Sequence, residues 1–252
     1  MTNTEFSNEF DILYNSIATN AAPDIDLYEK SVYLTKAQEE LIKNYFNPQG
    51  NKYNDGFENS SKRRSDLSQL VKGYNSVFNT TINNNFIEYA LSDDSKFFKI
   101  PKETFLIVQE KGILLSEDEC LNGKKISVVP KTHDEINSII GSPFRKPDKK
   151  TIYRLDFNNE GLNYQVVELI NPYDIKVYKI RYIKYPSPII LSDLSTEFPG
   201  EGLSINNETI ETPCKLNNSI HREILDRAIE LALADYKPEL LNIKTQINNR
   251  NE

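Results

Sequence analysis

The stretch DIKVYKIRYIKYP, residues 174–186, decides how the chain is read. Its period is two. Ile175, Val177, Lys179, Arg181, Ile183 and Tyr185 fall on one side of an extended chain, and Lys176, Tyr178, Ile180, Tyr182 and Lys184 on the other. β-Branched and aromatic residues suit a pleated surface, and here each side mixes apolar with basic groups. A strand of a parallel sheet, covered on both faces, would be apolar throughout, so this strand predicts an antiparallel sheet with a partly covered outer face. The same character recurs in FFKIPKETFLIVQEKGILL (97–115), KKISVVP (124–130), KTIYRLDF (150–157) and NYQVVELI (163–170), with Asn158-Asn159-Glu160-Gly161 as a hairpin connection.

Outside this region the period changes to that of a helix. TEFSNEFDILYNSIATNAAP (4–23) spaces Phe6, Phe10, Leu13 and Ile17 along one face, with Thr4 as cap and Pro23 as stop. A second helix spans Asp26 to Phe46, with Leu27, Val32, Leu34, Ala37, Leu41, Ile42 and Tyr45 inward and Asp26 and Glu29 favouring its first turn. NPQGNKYNDG (47–56) reads as an exposed turn. SSKRRSDLSQLVKGY (60–74) predicts a third helix with Leu67, Leu70, Val71 and Tyr74 inward. After the strands comes a long connection carrying Pro186, Pro188, Pro199, Pro213 and Gly200-Glu201-Gly202. NNSIHREILDRAIELALADY (217–236) then returns to helix, capped at Ser219, striped by Ile220, Ile224, Leu225, Ala228, Leu231 and Ala232, and stopped at Lys237-Pro238. The expected fold class is α+β: N-terminal helices and a C-terminal amphipathic helix packed together, with a central antiparallel β region and long extended loops. The expected division is 1–95 for the N-terminal helical part, 96–191 for the β region, 192–217 for the connection, and 218–252 for the last helix and polar tail, the helical parts forming one domain.

Composition narrows the function. Lys and Arg number 30 against 37 Asp and Glu, a net charge of -7, which argues against a sequence-independent nucleic-acid binder. There are 14 Tyr and 12 Phe but no Trp, a content that suits contact with partners. MTNTEFSNEF has neither the basic nor the apolar region of a secretory signal, and no apolar run has a membrane helix's length. The expectation is a soluble protein made in the cytoplasm, with Cys120 and Cys214 reduced and buried.

The chemical sites are sparse. In THDEINSIIGSPFRKPDKK (132–150), Thr132 and Glu135 form a capping box for a short helix whose inner side is Ile136, Ile139 and Ile140. His133, Asp134 and Glu135 are consecutive and point in different directions, and the other histidine, His221, is far away in sequence, so neither the metal nor the acid–base reading stands. Cys214 and His221 lack the flanking signature of a thiol protease. No phosphate-cradling glycine pattern is present, and Lys62-Arg63-Arg64 reads as a solvated face with an acidic or phosphate partner as the alternative. No cofactor or metal is expected, and the chain is not read as an enzyme. Phe144, Arg145 and Lys146, between Pro143 and Pro147, form an aromatic–basic loop tip of the kind that dominates interface energetics.

Four stretches together resemble the head–tail connector ring (adaptor) proteins of tailed bacteriophages, most closely those of crAss-like phages. They are EFDILYNSIATNAAPDIDLYEKSVYLTKAQEELIKNYF (9–46), THDEINSIIGSPFRKPDKKTIYRLDF (132–157), YKIRYIKYPSPIIL (178–191) and NNSIHREILDRAIELALADY (217–236). The resemblance implies a virion structural protein of the neck or tail that forms a homo-oligomeric, dodecameric ring beneath the portal. Its partners would be the portal protein and adjacent connector or tail proteins, with genomic DNA passing through the lumen unbound and no membrane involved. Candidate ring contacts are Tyr28, Lys30 and Tyr33 on the second helix, Phe144, Arg145 and Lys146 on the loop tip, and the 192–217 connection. The alternatives are another phage structural role (tail hub, minor capsid or scaffold) and a cytoplasmic interaction module or small hydrolase.

Overall fold

The structure, a computed structural model, describes residues 1–18, 24–46, 61–142, 144–157 and 162–236. The chain forms two compact units, Val71–Tyr185 and a second made of Met1–Leu70 with Pro186–Glu252. They divide after Leu70 and Tyr185, where the expectation placed boundaries at 95 and 191.

The unit made from both chain ends is helical. It contains α1 (Asn3–Ala18), α2 (Leu27–Phe46), α3 (Ser61–Leu67) with a 3₁₀ turn over Ser68–Leu70, and, after the excursion through the other unit, α6 (Leu194–Glu197) and α7 (His221–Tyr236). Thr2, not Thr4, caps α1: its hydroxyl accepts from Glu5 N at 3.2 Å and its N–H donates to Glu5 Oε2 at 2.8 Å. Asp26 and Glu29 make the matching exchange before α2. Asn217, rather than Ser219, caps the turn that leads into α7. The N-terminal helices and α7 pack together as expected, burying Phe6, Phe10, Leu34, Ala37 and Ile42 with Ile224, Leu225, Ala228 and Leu233.

α2 departs from a simple apolar stripe. Ser31, Thr35 and Gln38 are buried on it, three and four residues apart and so on one face. They hold the extended stretch 187–191 as a neighbouring strand would. Gln38 Nε2 donates to Ser187 O at 2.9 Å, Thr35 Oγ1 accepts from Ile189 N at 3.0 Å and donates to Ile189 O at 3.3 Å, and Ser31 Oγ accepts from Leu191 N at 3.0 Å. Ile190 pairs with Thr212 in both directions at 3.0 Å, and its carbonyl also accepts from Asn3 Nδ2 at 3.1 Å. Ile189 and Ile190 are fully buried, and their backbone groups are satisfied without pairing in a sheet.

The other unit is a seven-stranded sheet in the order β1-β7-β3-β4-β5-β6-β2. Its strands are β1 (Val71–Val77), β2 (Ser95–Pro101), β3 (Thr104–Leu115), β4 (Lys125–Pro130), β5 (Thr151–Phe157), β6 (Tyr164–Ile170) and β7 (Asp174–Lys184), with α4 (Thr80–Phe86) and α5 (His133–Ile140) between them. The expected third helix ends at Leu70. Val71 to Tyr74 instead belong to β1, paired with β7, with Tyr74 opposite Ile180. The sheet is also not wholly antiparallel. β4 and β5 run parallel, because α5 carries the chain back across the sheet between them. β5 and β6 are antiparallel as expected, while their proposed turn, 158–161, lies outside the described residues, as do 47–56, Pro23 and the stop at 237–238.

The sheet curls so that its edges approach. Phe78, just after β1, meets Phe98 of β2 edge-on at 6.1 Å, and Phe98 meets Tyr178 of β7 at 6.0 Å. Ile100, Leu114, Ile126, Ile152, Leu169 and Ile180 fill the interior with them. α4 covers the outside of β2 and β6 through Ile82 and Phe86, and α5 covers β5 and β6 through Ile136.

Thr35→Val keeps the shape of its side chain and removes both contacts with Ile189. Each stranded buried group costs about 1–3 kcal/mol, so the denaturant midpoint is expected to fall clearly at an unchanged slope; a midpoint equal to wild type would rule out this anchoring.

Candidate interaction surfaces

The face of α2 expected to meet a neighbour is engaged within the chain. Lys30 is 5% exposed and pairs with Asp11 at 2.8 Å. Tyr33 donates to Asp235 Oδ2 at 3.1 Å, and burial together with that carboxylate pushes its phenol well above the ordinary value. Tyr28 is half-buried and meets Phe198 edge-on at 6.5 Å, beside Ile190, Leu194 and Ile205.

The loop after α5 is the opposite case. Phe144 is 97% exposed, and Arg145 and Lys146 are exposed beside it. The loop's base is fixed: Tyr153 OH donates to Arg145 O at 2.8 Å, and Asn171 Nδ2 donates to Asp148 O and Thr151 O, each at 2.9 Å. The result is an aromatic ring held in water on a braced loop.

THDEI starts α5, as read from the sequence. Thr132 Oγ1 accepts from Glu135 N at 3.4 Å, while the Glu135 carboxylate pairs with Lys131 at 3.4 Å rather than reaching back to the cap. His133 Nε2 lies 3.0 Å from Asp156 O. His221 is 2% exposed, with Nε2 3.1 Å from Leu216 O and its ring against Phe6. Cys214 donates to Gln38 Oε1 at 3.4 Å, and burial pushes its thiol up to about 11, so it is not a thiolate nucleophile at neutral pH. Neither cysteine is bridged, and Cys120 is exposed rather than buried.

One polar cluster had no sequence signal. Inside the curled sheet, Arg154 Nη1 lies 3.0 Å from Glu110 Oε1, and Tyr178 OH donates to Glu110 Oε2 at 2.6 Å. Arg154 also reaches Asp156 at 3.4 Å. Burial raises the Glu110 carboxyl above the usual range, with Arg154 and Tyr178 opposing that shift. The residues come from β3, β5 and β7, and only their separate strand assignments could be read in advance. With its charges matched in an apolar interior, the cluster ties three strands together.

The phage tail ring protein 3/4 family model matches residues 1–242. The chain belongs to that family. It is 40% identical over 250 residues to Ring protein 4/5 of Bacteroides phage crAss001, covering 98% of each chain. It is 38% identical over 253 residues to Ring protein 3 of the same phage, covering 100% of each. The family supports a structural role in a phage tail and points to a non-enzymatic one. Among the described residues no helix is long and apolar enough to cross a membrane.

Burial holds the His221 imidazole below its ordinary value, against the pull of the Leu216 carbonyl. The unfolded chain therefore binds this proton more readily, and the folded state loses stability as pH falls through ~6.5. Melting curves from about pH 7.5 to 5 are expected to show a smaller decline for His221→Gln than for wild type; identical slopes would show that His221 does not couple to folding.

Proposed function

We propose that the chain is a ring-forming subunit of the head-to-tail connector, seated beneath the portal and surrounding the passage taken by genomic DNA. Homology to phage ring proteins over the whole chain carries this reading. Its neighbours are further copies of itself in a dodecameric ring, the portal protein, and adjacent connector or tail proteins. The excess of acids, 37 against 30 Lys and Arg, suits a wall that DNA must slide past without sticking. The tip Phe144-Arg145-Lys146 is the leading contact with a neighbour, since its ring is 97% exposed on a loop already fixed at its base.

Quantitative mass spectrometry of purified DNA-filled particles is expected to find this chain in a small whole-number ratio to the portal protein. Its absence from particles would end the virion reading. Phe144→Ala and Arg145→Glu are expected to leave the isolated chain folded, within about 0.5 kcal/mol of wild type, while lowering its incorporation into particles. Normal incorporation of Arg145→Glu would remove this loop from the interface.

A further inference from the structure

The charge of the chain is divided unevenly. Residues 71–185 carry 17 basic and 15 acidic side chains, and the remainder carries 13 and 22. The basic excess is gathered on one side of the curled sheet. In the register of β1, β7, β3 and β4, Lys179 lies beside Asn75 and Lys111, Arg181 beside Gly73 and Gln109, and Lys125 beside Ile113. No helix of this unit covers these strands from outside, where Lys111, Lys125, Lys176 and Arg181 are exposed. The ion pairs of the unit among the described residues are Lys96–Asp174, Lys131–Glu135, Arg154–Glu110, Arg154–Asp156 and Lys184–Glu103, and none of these outer cations joins one. Between them is a shallow hollow floored by Val77, Ile113 and Val177 and rimmed by Lys176 and Lys179.

The helical unit presents the complement. From Pro186 to Cys214 there are five acids, Asp193, Glu197, Glu201, Glu208 and Glu211, and neither Lys nor Arg. A tight turn at Asn206-Asn207, both at positive φ, reverses the chain between Ile205 and Glu208. Ile210 follows, 70% exposed, between the exposed Glu208 and Glu211. Glu211 is held by Asn3 Nδ2 at 2.8 Å, and Ile190–Thr212 pairing pins the segment from behind. It is an apolar knob flanked by carboxylates, matched to an apolar hollow rimmed by ammonium groups.

We infer that the Ile210 knob of one copy seats in the Val77–Ile113–Val177 hollow of the next, with Glu208 and Glu211 facing Lys176 and Lys179; this rests on the ring reading above and adds a contact between copies to that of the Phe144 tip. Burial of the knob supplies the attraction, and the charges fix register and exclude wrong pairings. Sheet face against sheet face would bring like cations together, so a self-matched dimer is disfavoured. Knob into hollow joins two different patches, a heterologous contact that closes into a ring where the rotation between copies closes.

Carbodiimide coupling in purified particles, full and emptied of DNA, tests the contact. The expected product is a two-copy band in which Lys176 or Lys179 is joined to Glu208 or Glu211. Particles that contain the chain but give no such pair overturn the inference and leave the ring reading standing, whereas absence of the chain from particles overturns both. Cations that couple only after DNA has left assign the face to nucleic acid instead and overturn the inference. Lys179→Glu is expected to lower incorporation about tenfold, and adding Glu208→Lys to the same chain to restore it; unaltered incorporation of Lys179→Glu overturns the contact.

Discussion

The helical unit depends on three polar side chains of α2 that stand where apolar ones would be expected. Ser31, Thr35 and Gln38 take up the backbone of 187–191 as it leaves the sheet unit and enters a space bounded by helices. A single extended segment has no sheet to satisfy its N–H and C=O groups, and leaving them bare inside would cost more than its isoleucines return. With these contacts in place Ile189 and Ile190 bury completely, Thr212 pairs behind them, and the acidic connection that follows is held in one shape. Two distant parts of the chain become one core through a handful of directed hydrogen bonds.

The sheet unit answers a different constraint. A sheet that curls needs bulges to turn, and β3 has register shifts against β7 in three places. The one near Ile113 and Leu114 puts Ile175 on the same inner side as Tyr178, although strict alternation would separate them. Gly112 lies opposite Tyr178, and a Cβ there would collide with Ile152 across the interior. The Arg154–Glu110–Tyr178 cluster places charged and hydroxyl groups within that interior. A charged pair matched to a phenol favours this packing over a slipped register, since slippage would leave an uncompensated ion inside.

Much of this was legible in the residues. Strong periodicity located α1, α2, α7 and the strands β4 to β7, but read β2 and β3 as one stretch, 97–115, that in fact turns at Lys102-Glu103, and THDEI marked the start of α5. Periodicity failed where pairing outweighed it. Val71 to Tyr74 fit a helix as well as a strand, and only their partner, β7, decides between them. The parallel pairing of β4 and β5 across α5 departs from the antiparallel expectation, because neighbouring strands cannot be named from one chain's pattern. The polar face of α2 was illegible for the same reason: Ser31, Thr35 and Gln38 look solvated until the segment they hold is in place. Interior networks and exposed knobs depend on what stands opposite them.

The tyrosines make the same point about surfaces. Their abundance reads as a sign of contact with partners, but most of the described phenols that make polar contacts are spent inside the chain. Tyr33 donates to Asp235, Tyr45 to Glu223, Tyr178 to Glu110, Tyr182 to Glu103 and Tyr236 to Glu29, at 2.5 to 3.1 Å. A chain with more acids than bases has too few cations to match every carboxylate that packing brings inward. A phenol offers a directed donor without adding charge, and its ring buries apolar area as it does so. The acids thus become part of the packing, while several cations stay outside on one sheet face. The side chains this internal pairing leaves over, Phe144, Ile210 and Val77 among them, are apolar groups exposed at the surface, and the most numerous residue types do not mark them.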